Sequence, residues 1–447
     1  MRAPASAYIR ARRRPKVKTS PRWTESGEAA LSKSSVGVFA IARSLLSPGN
    51  IRIIALASML TGIYLTMLNT FLQYFVVIYL GFSGTVLGGL VAIGARPSGL
   101  ASSIIQPFAG HLADLLGRKK LIRLGSAVGV CSMVSFVFAA TTRSLLPLSL
   151  GYFLLGLSLL GNPASQAMVA ETVGMDPDRI NVAYSVVWFF TSLPGAMIPF
   201  FVNSIVSSVG YAVIFAIAAL LEASNLLLLF PHLSETRPPR PAGHDVRTVR
   251  RFSFRESVTI PRSLIRIFAP FAMDAFSFGI GGSIVYGMWA KSFGFSLEDL
   301  SLIYGVFAVS IVVGQYFATR LLLVMGTRRT LAFSEFLTVV VLLGWLLFPQ
   351  LVPLLVISVV FGFSVDTWVP AVSSVLMAAA PVEERGSVGG KLAAFRGLVA
   401  APAPVLAGLI YSAYGYYVPI FLSLVGESIT TVAILKLLPE SSQAPRP

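Results

Sequence analysis

The stretch Gly110-His-Leu-Ala-Asp114-Leu-Leu-Gly117-Arg118-Lys119-Lys120 lies between two long apolar runs and decides the fold. Lys and Arg beside a hydrophobic segment hold that end of it in the cytoplasm, so topology accounts for the three cations. The two glycines and the carboxylate need a further reason. Glycine permits a sharp turn, and a carboxylate can dock reversibly against a cation or a helix N-terminus. We interpret Gly110, Asp114 and Gly117 as parts of a reversible contact at a membrane surface.

The composition around this stretch indicates an integral membrane protein. Of the 447 residues, 55% are hydrophobic and 12% are charged, and the mean hydropathy is +0.77. Soluble domains carry about 25% charged residues. Apolar segments long enough to span a bilayer predict α-helices, because a spanning segment must satisfy its own backbone polar groups. Twelve such segments occur, at residues 53–79, 84–109, 121–140, 146–168, 181–206, 211–230, 263–289, 299–324, 331–348, 352–379, 387–411 and 417–438.

The polar stretches between these segments predict the domain organisation. We expect a first half at 51–231, a cytoplasmic central loop at 232–262 and a second half at 263–438, flanked by cytoplasmic tails at 1–50 and 439–447. The first tail is rich in Arg, Lys, Ser and Pro, which predicts a basic, largely disordered segment. With both termini inside the cell, all but four of the 35 Lys and Arg lie on cytoplasmic segments, the exceptions being Arg96, Arg143, Lys291 and Arg396. That asymmetry predicts this orientation.

The same counts exclude several function classes. Because topology explains most of the net charge of +16, we expect no nucleic-acid partner, although the cytoplasmic face can contact anionic lipids. The single cysteine, Cys131, excludes an internal disulfide. The three histidines show no i, i+4 pairing, so we expect neither a metal nor a cofactor.

The second half repeats features of the first. Leu80-Gly81-Phe82-Ser83 is echoed by Phe293-Gly294-Phe295-Ser296, and Gly117 by Gly326. Gly210-Tyr211 and Glu222 recur as Gly415-Tyr416 and Glu427. Echoes that stay in register along the whole chain predict a parallel structural repeat.

The opening stretch resembles the signature of the major facilitator superfamily, approximately Gly-x-Leu-Ala-Asp-x-x-Gly-Arg-Lys/Arg-Lys/Arg, and matches it at every position. The resemblance implies twelve helices in two pseudo-symmetric six-helix bundles, with substrate bound between the halves. It also implies a cytoplasmic gate, in which the signature carboxylate docks at the start of the eleventh span. Carried over to this chain, that gate consists of Gly110, Asp114, Gly117, Arg118, Lys119 and Glu171. Glu171 is the acid that we expect to meet Arg118, with Asp176 or Asp178 next.

The chain departs from the family pattern in two places. Leu323 stands where the second half would repeat Asp114, so the second copy of the gate should lack its carboxylate. Many proton-coupled relatives carry an arginine four residues before a glycine in the fourth span. Here that position is Tyr152, four residues before Gly156, which leaves the usual coupling arginine absent.

Charged side chains within the apolar segments are the candidates for the site. Each costs about 2.5–3.5 kcal/mol at the centre of a bilayer and therefore needs a reason. We expect Arg96, Asp274, Asp366 and Arg396 to face the space between the halves, with Asn69 and Gln73 adding polar contacts. The alternative is that they form buried ion pairs that only hold the helices together. Glu222, Glu335 and Glu427 fall on spans that resemble outer scaffold, so we interpret them as structural.

The resemblance favours a monomeric secondary transporter of a small organic solute in the plasma membrane. Pro194-Gly195 weakly resembles the Gly-Pro motif of drug/proton antiporters, which favours proton-coupled efflux. Proton-coupled or facilitated uptake of a sugar or organic acid is the alternative. A membrane-embedded enzyme and a non-transporting sensor are more distant alternatives. An enzyme is disfavoured because adjacent acids occur only in the surface pairs Glu298-Asp299 and Glu383-Glu384.

Overall fold

The chain is helical throughout the part that the computed structural model describes, which comprises residues 49–96, 99–173, 177–236, 262–379 and 385–438. No strand occurs in these ranges. Most of both predicted tails and of the central loop lies outside them, as does Asp176. The helices are α1 Gly49–Tyr74, α2 Gly84–Gly94, α3 Leu100–Leu116, α4 Arg118–Thr142, α5 Leu145–Leu157, α6 Asn162–Val173, α7 Pro177–Ser192, α8 Pro199–His232, α9 Arg262–Gly282, α10 Val285–Phe293, α11 Leu297–Met325, α12 Thr327–Leu347, α13 Leu351–Ala379, α14 Arg385–Ala400, α15 Ala403–Tyr414 and α16 Tyr417–Leu437.

Ten helical segments of the described chain are long and apolar enough to cross a membrane. Two of the predicted segments are interrupted and fall short of this length. Segment 84–109 is split between α2 and α3 near Pro97, and segment 181–206 passes through a 3₁₀ turn at Leu193–Ala196. Proline lacks the N–H that the helix ladder needs, which explains why both breaks lie beside one. The apolar pieces Gly84–Gly94 and Val186–Ala196 are correspondingly short.

The turning glycines confirm the sequence repeat in backbone geometry. Six glycines have positive φ in the described chain, and they form three repeat pairs: Gly81 with Gly294, Gly117 with Gly326, and Gly210 with Gly415. Their φ angles are 75° and 70°, 96° and 74°, and 79° and 77°. Residues that carry a Cβ atom are strained at positive φ, so glycine is favoured at each of these turns. Gly210 also divides α8 into two consecutive helices.

Capping serines follow the first pair of turning glycines. Ser83 starts α2 and accepts a hydrogen bond from the backbone N–H of Val86 at 3.3 Å. Ser296 starts α11 and accepts from the N–H of Asp299 at 3.1 Å, while Asp299 accepts from the Ser296 N–H at 2.9 Å. Each serine oxygen satisfies a donor that the first helical turn leaves free. The two halves therefore begin corresponding helices in the same way.

The two halves of the chain meet along a seam of small residues. A Cβ atom on Gly88 of α2 would overlap the carbonyl oxygen of Pro404, and one on Gly408 of α15 would overlap that of Gly84. Farther along, a Cβ on Gly397 of α14 would overlap Ser103 of α3. This order of contacts makes α2–α3 antiparallel to α14–α15. The end of α3 at Leu116 and the start of α14 at Arg385 therefore lie at the same end of the molecule, which we call the Lys119 face.

Other chain ends gather on the Lys119 face. The Asn50 side chain donates to the Ser234 carbonyl at 3.1 Å and accepts from the Ser234 N–H at 2.9 Å, which ties the start of α1 to the end of α8. Residues 234–236, at the start of the predicted central loop, therefore share this face with Lys119, as expected. His244, farther along the loop, lies outside the described residues.

Buried aromatic rings fill the core of each half toward the opposite face. In the first half the Phe75 ring lies 5.1 Å from that of Phe215 and 4.9 Å from that of Tyr211. In the second half the Trp345 ring lies 5.3 Å from that of Trp289 and 5.4 Å from that of Phe361. All of these pairs are edge-to-face except Phe75–Tyr211, whose rings are tilted at 47°. Aromatic pairs of this kind add about 0.5–1.5 kcal/mol each to the burial of their area. The polar groups described next lie among these apolar packing layers.

Candidate functional site

Two clusters of polar and ionisable side chains lie deep in the described helices, one in each half. The first-half cluster consists of Tyr64, Arg96, Ser126, Glu222 and Asn225, and the second-half cluster of Asp274, Glu335, Trp368, Arg396 and Glu427. Both clusters are surrounded by apolar side chains, so each polar atom needs a partner within its own cluster. Their hydrogen bonds show how differently the two halves meet that need.

The first-half cluster surrounds Glu222 with donors. Glu222 on α8 accepts from the Ser126 hydroxyl of α4 at 2.8 Å and from the Asn225 amide at 3.3 Å. The Tyr64 hydroxyl of α1 lies between Glu222 and the Arg96 guanidinium, whose Nη1 is 3.5 Å from it. These residues line a polar cavity of about 120 Å³ inside the first half. The carboxylate is therefore satisfied without leaving its own half.

The second-half cluster surrounds one cation with three carboxyl groups. Arg396 on α14 binds Asp274 on α9 at 2.8 Å and lies over the Trp368 ring, 4.4 Å from its centre. The Trp368 indole N–H donates to Glu335 on α12 at 2.7 Å. Carboxylate oxygens of Asp274, Glu335 and Glu427 all lie within 4.8 Å of one another. Arg396 keeps 30% of its side chain exposed and Asp274 keeps 11%, so the pair is the open side of this cluster.

The repeat relates the two clusters at two positions. Glu222 and Glu427 are 205 residues apart, the spacing of Gly210 and Gly415. Ser126 and Glu335 are 209 residues apart, the spacing of Gly117 and Gly326. The second half therefore has a carboxyl group where the first half has a hydroxyl donor. Glu427 is fully buried, and neither of its oxygens makes a hydrogen bond of ordinary geometry, although the Phe278 backbone lies near them.

The four charged residues expected to face the space between the halves make their described contacts within their own halves. Asp274 and Arg396 bind each other within the second half, and Arg96 contacts Tyr64 within the first. Asp366 on α13 is 7% exposed and packs against Gly314 of α11, again within its own half. Asp274, Arg396 and Arg96 thus have polar partners inside their own halves, as a charge in an apolar layer requires. That the four side chains also face the space between the halves and bind substrate stays a prediction.

Asn69 and Gln73 on α1 do connect the two halves. The exposed Asn69 donates to the Tyr304 hydroxyl of α11 at 3.2 Å. Gln73 donates to the Ser283 carbonyl at 2.9 Å and accepts from the Gly287 N–H at 2.9 Å. Ser283 lies between α9 and α10, where the helix ladder is interrupted. The Gln73 amide therefore satisfies backbone groups that this break would leave without partners.

The gate residues form a cluster on the Lys119 face. Arg118 binds Glu171 at 3.1 Å, the contact that the sequence analysis expected. Glu235, which the sequence analysis did not consider, accepts from the backbone N–H groups of Arg118 at 3.0 Å and Lys119 at 3.2 Å, at the start of α4. A Cβ on Gly117 would approach that carboxylate to 2.7 Å, a second reason for glycine there.

The remaining gate residues give less information. Gly110 has open space around it, with nothing within 4 Å of a Cβ placed there. The Asp114 side chain and residues 380–384 lie outside the described structure, so docking of Asp114 at the start of α14 stays a prediction. The Leu323 side chain also lies outside the described structure, so the expected effect of its replacing a carboxylate in the second copy of the gate stays a prediction.

The sequence analysis did not expect the second-half acids to contact Asp274. Glu335 and Glu427 were interpreted as structural because their spans resemble outer helices; the structure places their carboxylate oxygens within 4.8 Å of that of Asp274, and their role stays a prediction. One signal in the sequence could have indicated their contact. Glu335 is the repeat equivalent of Ser126 and Glu427 that of Glu222, so a contact in either half implies the other.

Comparisons with known proteins identify the fold. A family model described as Major Facilitator Superfamily matches residues 54–280 and 266–447. The human organic anion transporter MFSD10 (TETRAN) aligns with a TM-score of 0.63 at 18% identity, covering 86% of this chain and 99% of that one. The nucleoside transporter NupG aligns at 0.65 and 14%, covering 87% and 98%. A D-xylose–proton symporter aligns at 0.64 and 14%, covering 88% and 98%. No curated protein sequence matches the chain.

Proposed function

Because this chain belongs to the major facilitator superfamily, we propose that it is a secondary transporter that moves a small organic solute by alternating access. Family membership and the transporter structures that share the fold indicate a transporter rather than an enzyme. The contact between Asn69 and Tyr304 carries the proposal for this chain. Asn69 is an exposed polar position in the last two turns of α1 and contacts the opposite half, where a solute bound between the halves would be held.

The proposed architecture has twelve spans in two six-helix bundles, with boundaries at 51–231 and 263–438. The ten long apolar segments support it, as does the Gly210 break that divides α8 into two helices. The short apolar pieces in α2 and α7 fit the second and fifth spans, each bent beside a proline. We place the protein in the plasma membrane as a monomer, with both termini and the Lys119 face in the cytoplasm. The excess of Lys and Arg on that side supports this orientation and contact with anionic lipid.

We propose that transport is coupled to protons and that its direction is efflux. Two buried clusters of ionisable side chains support proton coupling, since such groups in a membrane commonly belong to proton or ion pathways. Pro194-Gly195 supports efflux. These residues form the 3₁₀ turn between α7 and α8, and Gly195 lies against Ala308 of the second half, 3.5 Å from a Cβ placed on it. A flexible joint at this position would let the fifth span move against α11.

Purified protein in proteoliposomes tests the proposal and the direction together. A thermal-shift screen first finds a compound that raises the unfolding temperature, and its flux is then measured under imposed pH gradients. Antiport predicts that the compound enters vesicles whose lumen is acidic, whereas symport predicts entry when the outside is acidic. A protonophore should abolish either flux. Entry driven from an acidic outside would replace efflux by the uptake alternative.

Asn69→Ala should weaken both the thermal shift and the flux by roughly 10-fold, the effect of about 1.4 kcal/mol of lost binding. Gln350→Ala, on an exposed loop residue between α12 and α13, is the matched control and should transport normally. A compound that binds but crosses under neither gradient would overturn the transporter proposal in favour of a sensor. A chemically altered product would instead indicate an enzyme.

A further inference from the structure

We propose that Glu335 and Glu427 together form a proton-binding site inside the second half, with the proton shared between their two carboxyl groups. Its use in coupling rests on the proposed function, but the site itself can be tested without transport. The bound proton would explain why α12 and α16 each bury a carboxyl group, Glu335 and Glu427, whose burial in the charged form would cost free energy.

The orphaned oxygens of Glu427 carry the argument. Glu427 is fully buried, and neither carboxylate oxygen makes a hydrogen bond of ordinary geometry. Its polar neighbours are the Phe278 backbone and the carboxyl groups of Glu335 and Asp274, which as carboxylates can only accept. A buried acceptor without a donor is costly, and more so when it is charged. A proton on either Glu335 or Glu427 turns this contact between two acceptors into a hydrogen bond.

The first half shows the same position with a donor supplied by the chain. There Ser126 donates to Glu222 at 2.8 Å, and Asn225 and Tyr64 complete the set. In the second half, the residue equivalent to Ser126 is Glu335. An acid in place of the hydroxyl can supply that donor only while a proton is bound. The exchange therefore converts a permanently satisfied carboxylate into one whose hydrogen bonding depends on protonation.

The charges around Glu427 also favour a proton over a metal ion. The titratable and charged groups that face it from the packed helices are Asp274 on α9, Glu335 on α12 and Arg396 on α14, beyond Asp274; α15 adds none in the part of the chain that the structure describes. Fully ionised, three carboxylates and one guanidinium would leave two negative charges in an apolar core. Arg396 already binds Asp274 at 2.8 Å, so two carboxyl groups remain. Hard cations take about six or more oxygen ligands, whereas one proton needs only two.

The Asp274–Arg396 pair gives this site a path to water. Glu335 and Glu427 are 1% and 0% exposed, while the Arg396 side chain is 30% exposed and lies on the open side of the cluster. A proton would reach Glu335 and Glu427 by way of Asp274 when that ion pair opens. The Trp368 indole fixes one oxygen of Glu335 at 2.7 Å and so holds its carboxyl group beside Glu427.

Infrared difference spectroscopy of the purified protein in lipid tests the site directly. A titration from acid to alkaline pH follows the C=O stretch of protonated carboxyl groups and needs no transported compound. The wild-type protein should show a band that persists to neutral pH. Glu427→Gln and Glu335→Gln should each lose that band, because an amide supplies the donor and leaves no shared proton.

Two further variants keep the test specific. Glu222→Gln, at the equivalent position of the first half, should retain the band, since Glu222 already has donors. Glu335→Ser recreates the first-half arrangement and should lose it, and it serves if the Gln variants fail to fold. Retention of the band in Glu335→Ser or Glu427→Gln, or its loss only in Glu222→Gln, would overturn the proposal. Displacement of the band by Na⁺ but not by choline would replace the proton with a sodium ion and equally overturn it.

Failure of this test and failure of the proposed function are distinguishable. If the band is absent but pH gradients still drive flux, the protein is a proton-coupled transporter whose proton binds elsewhere. If the band is present but no compound moves, the site exists in a chain that does not transport.

Discussion

At the scale of single residues, the ion pair between Asp274 and Arg396 shows what a charge needs within a membrane. Arg396 binds the carboxylate, lies over the Trp368 ring and donates to the Phe271 carbonyl at 3.3 Å. Its guanidinium thus has a charged, an aromatic and a backbone partner, each from a different direction. The planar guanidinium can make these contacts at once, which neither the ammonium group of Lys nor the amide of Gln can reproduce. The pair therefore stabilises the second half whether or not it binds substrate.

We expect Arg396→Gln to destabilise the protein by about 2–3 kcal/mol, because it leaves Asp274 buried without its cation. This lies below the ~3–5 kcal/mol typical of a fully buried pair, since Arg396 is partly open to water. Thermal unfolding in detergent measures the loss. The double variant Arg396→Gln/Asp274→Asn should be more stable than Arg396→Gln alone. Strictly additive losses would show that the two side chains do not act as a pair.

At the scale of elements, the break between α9 and α10 depends on a residue from the other half. Gln73 of α1 satisfies both a carbonyl and an N–H group at this break. A helix interruption within a membrane normally requires such a partner. Because Gln73 belongs to the first half, the contact is available only while the halves are close at the face opposite Lys119. Separation of the halves at that face would therefore leave the backbone groups at the break between α9 and α10 without these partners.

Replacing this amide should weaken closure of the face opposite Lys119. Gln73→Leu removes two hydrogen bonds, each worth about 0.5–1.5 kcal/mol, and should shift the population about 10-fold toward opening of that face. Spin labels at positions 142 and 350, in a background with Cys131 replaced by Ser, would report a longer distance. Thr141→Val is the control, since both described hydrogen bonds of Thr141 lie within α4. Equal distances in Gln73→Leu and the control would contradict the link.

The same elements show how far sequence could predict this structure. The turning glycines follow from local patterns, because turns depend on a few neighbouring residues. The Arg118–Glu171 contact joins distant residues and was expected from the resemblance to the superfamily. The rotation of each helix about its axis does not follow from local patterns. A span such as α16 is apolar on all faces, so its sequence gives little indication of the direction in which Glu427 points. That is why the contacts of Glu335 and Glu427 with Asp274 were not expected from the sequence.

At the scale of the whole molecule, the chain carries one complete copy of the signature and one incomplete copy. Both copies keep a positive-φ glycine, Gly117 and Gly326. Only the first keeps the carboxylate, because Leu323 stands at the position equivalent to Asp114. A contact between Asp114 and the N-terminus of α14 would therefore have no counterpart on the other side of the Lys119 face. Closure of that face should be asymmetric.

Asp114→Asn tests this asymmetry. A carboxylate at a helix N-terminus contributes about 0.3–1 kcal/mol, and up to about 2 kcal/mol when partly buried. The variant should fold normally, transport more slowly and shift several-fold toward opening of the Lys119 face. Spin labels at positions 120 and 329 would measure that opening. Leu323→Asn, a change at the equivalent position without a carboxylate to lose, is the matched control. Unchanged distances in Asp114→Asn would leave the stretch as a topology signal alone.

The glycine seam between α2 and α15 has a mechanical consequence. Gly88 and Gly408 bring two backbones into direct contact, so the halves cannot come closer there and have no flexible side chains to compress. This backbone contact between α2 and α15 is therefore a fixed pivot about which the helices on either side can tilt. The seam extends to the contact between Gly397 and Ser103, and Leu116 lies 13 residues beyond Ser103 on α3, or about 20 Å of helix, so a tilt of about 10° would move it by roughly 3 Å. A small tilt of the helices at the seam would thus produce a larger movement of their ends at the Lys119 face.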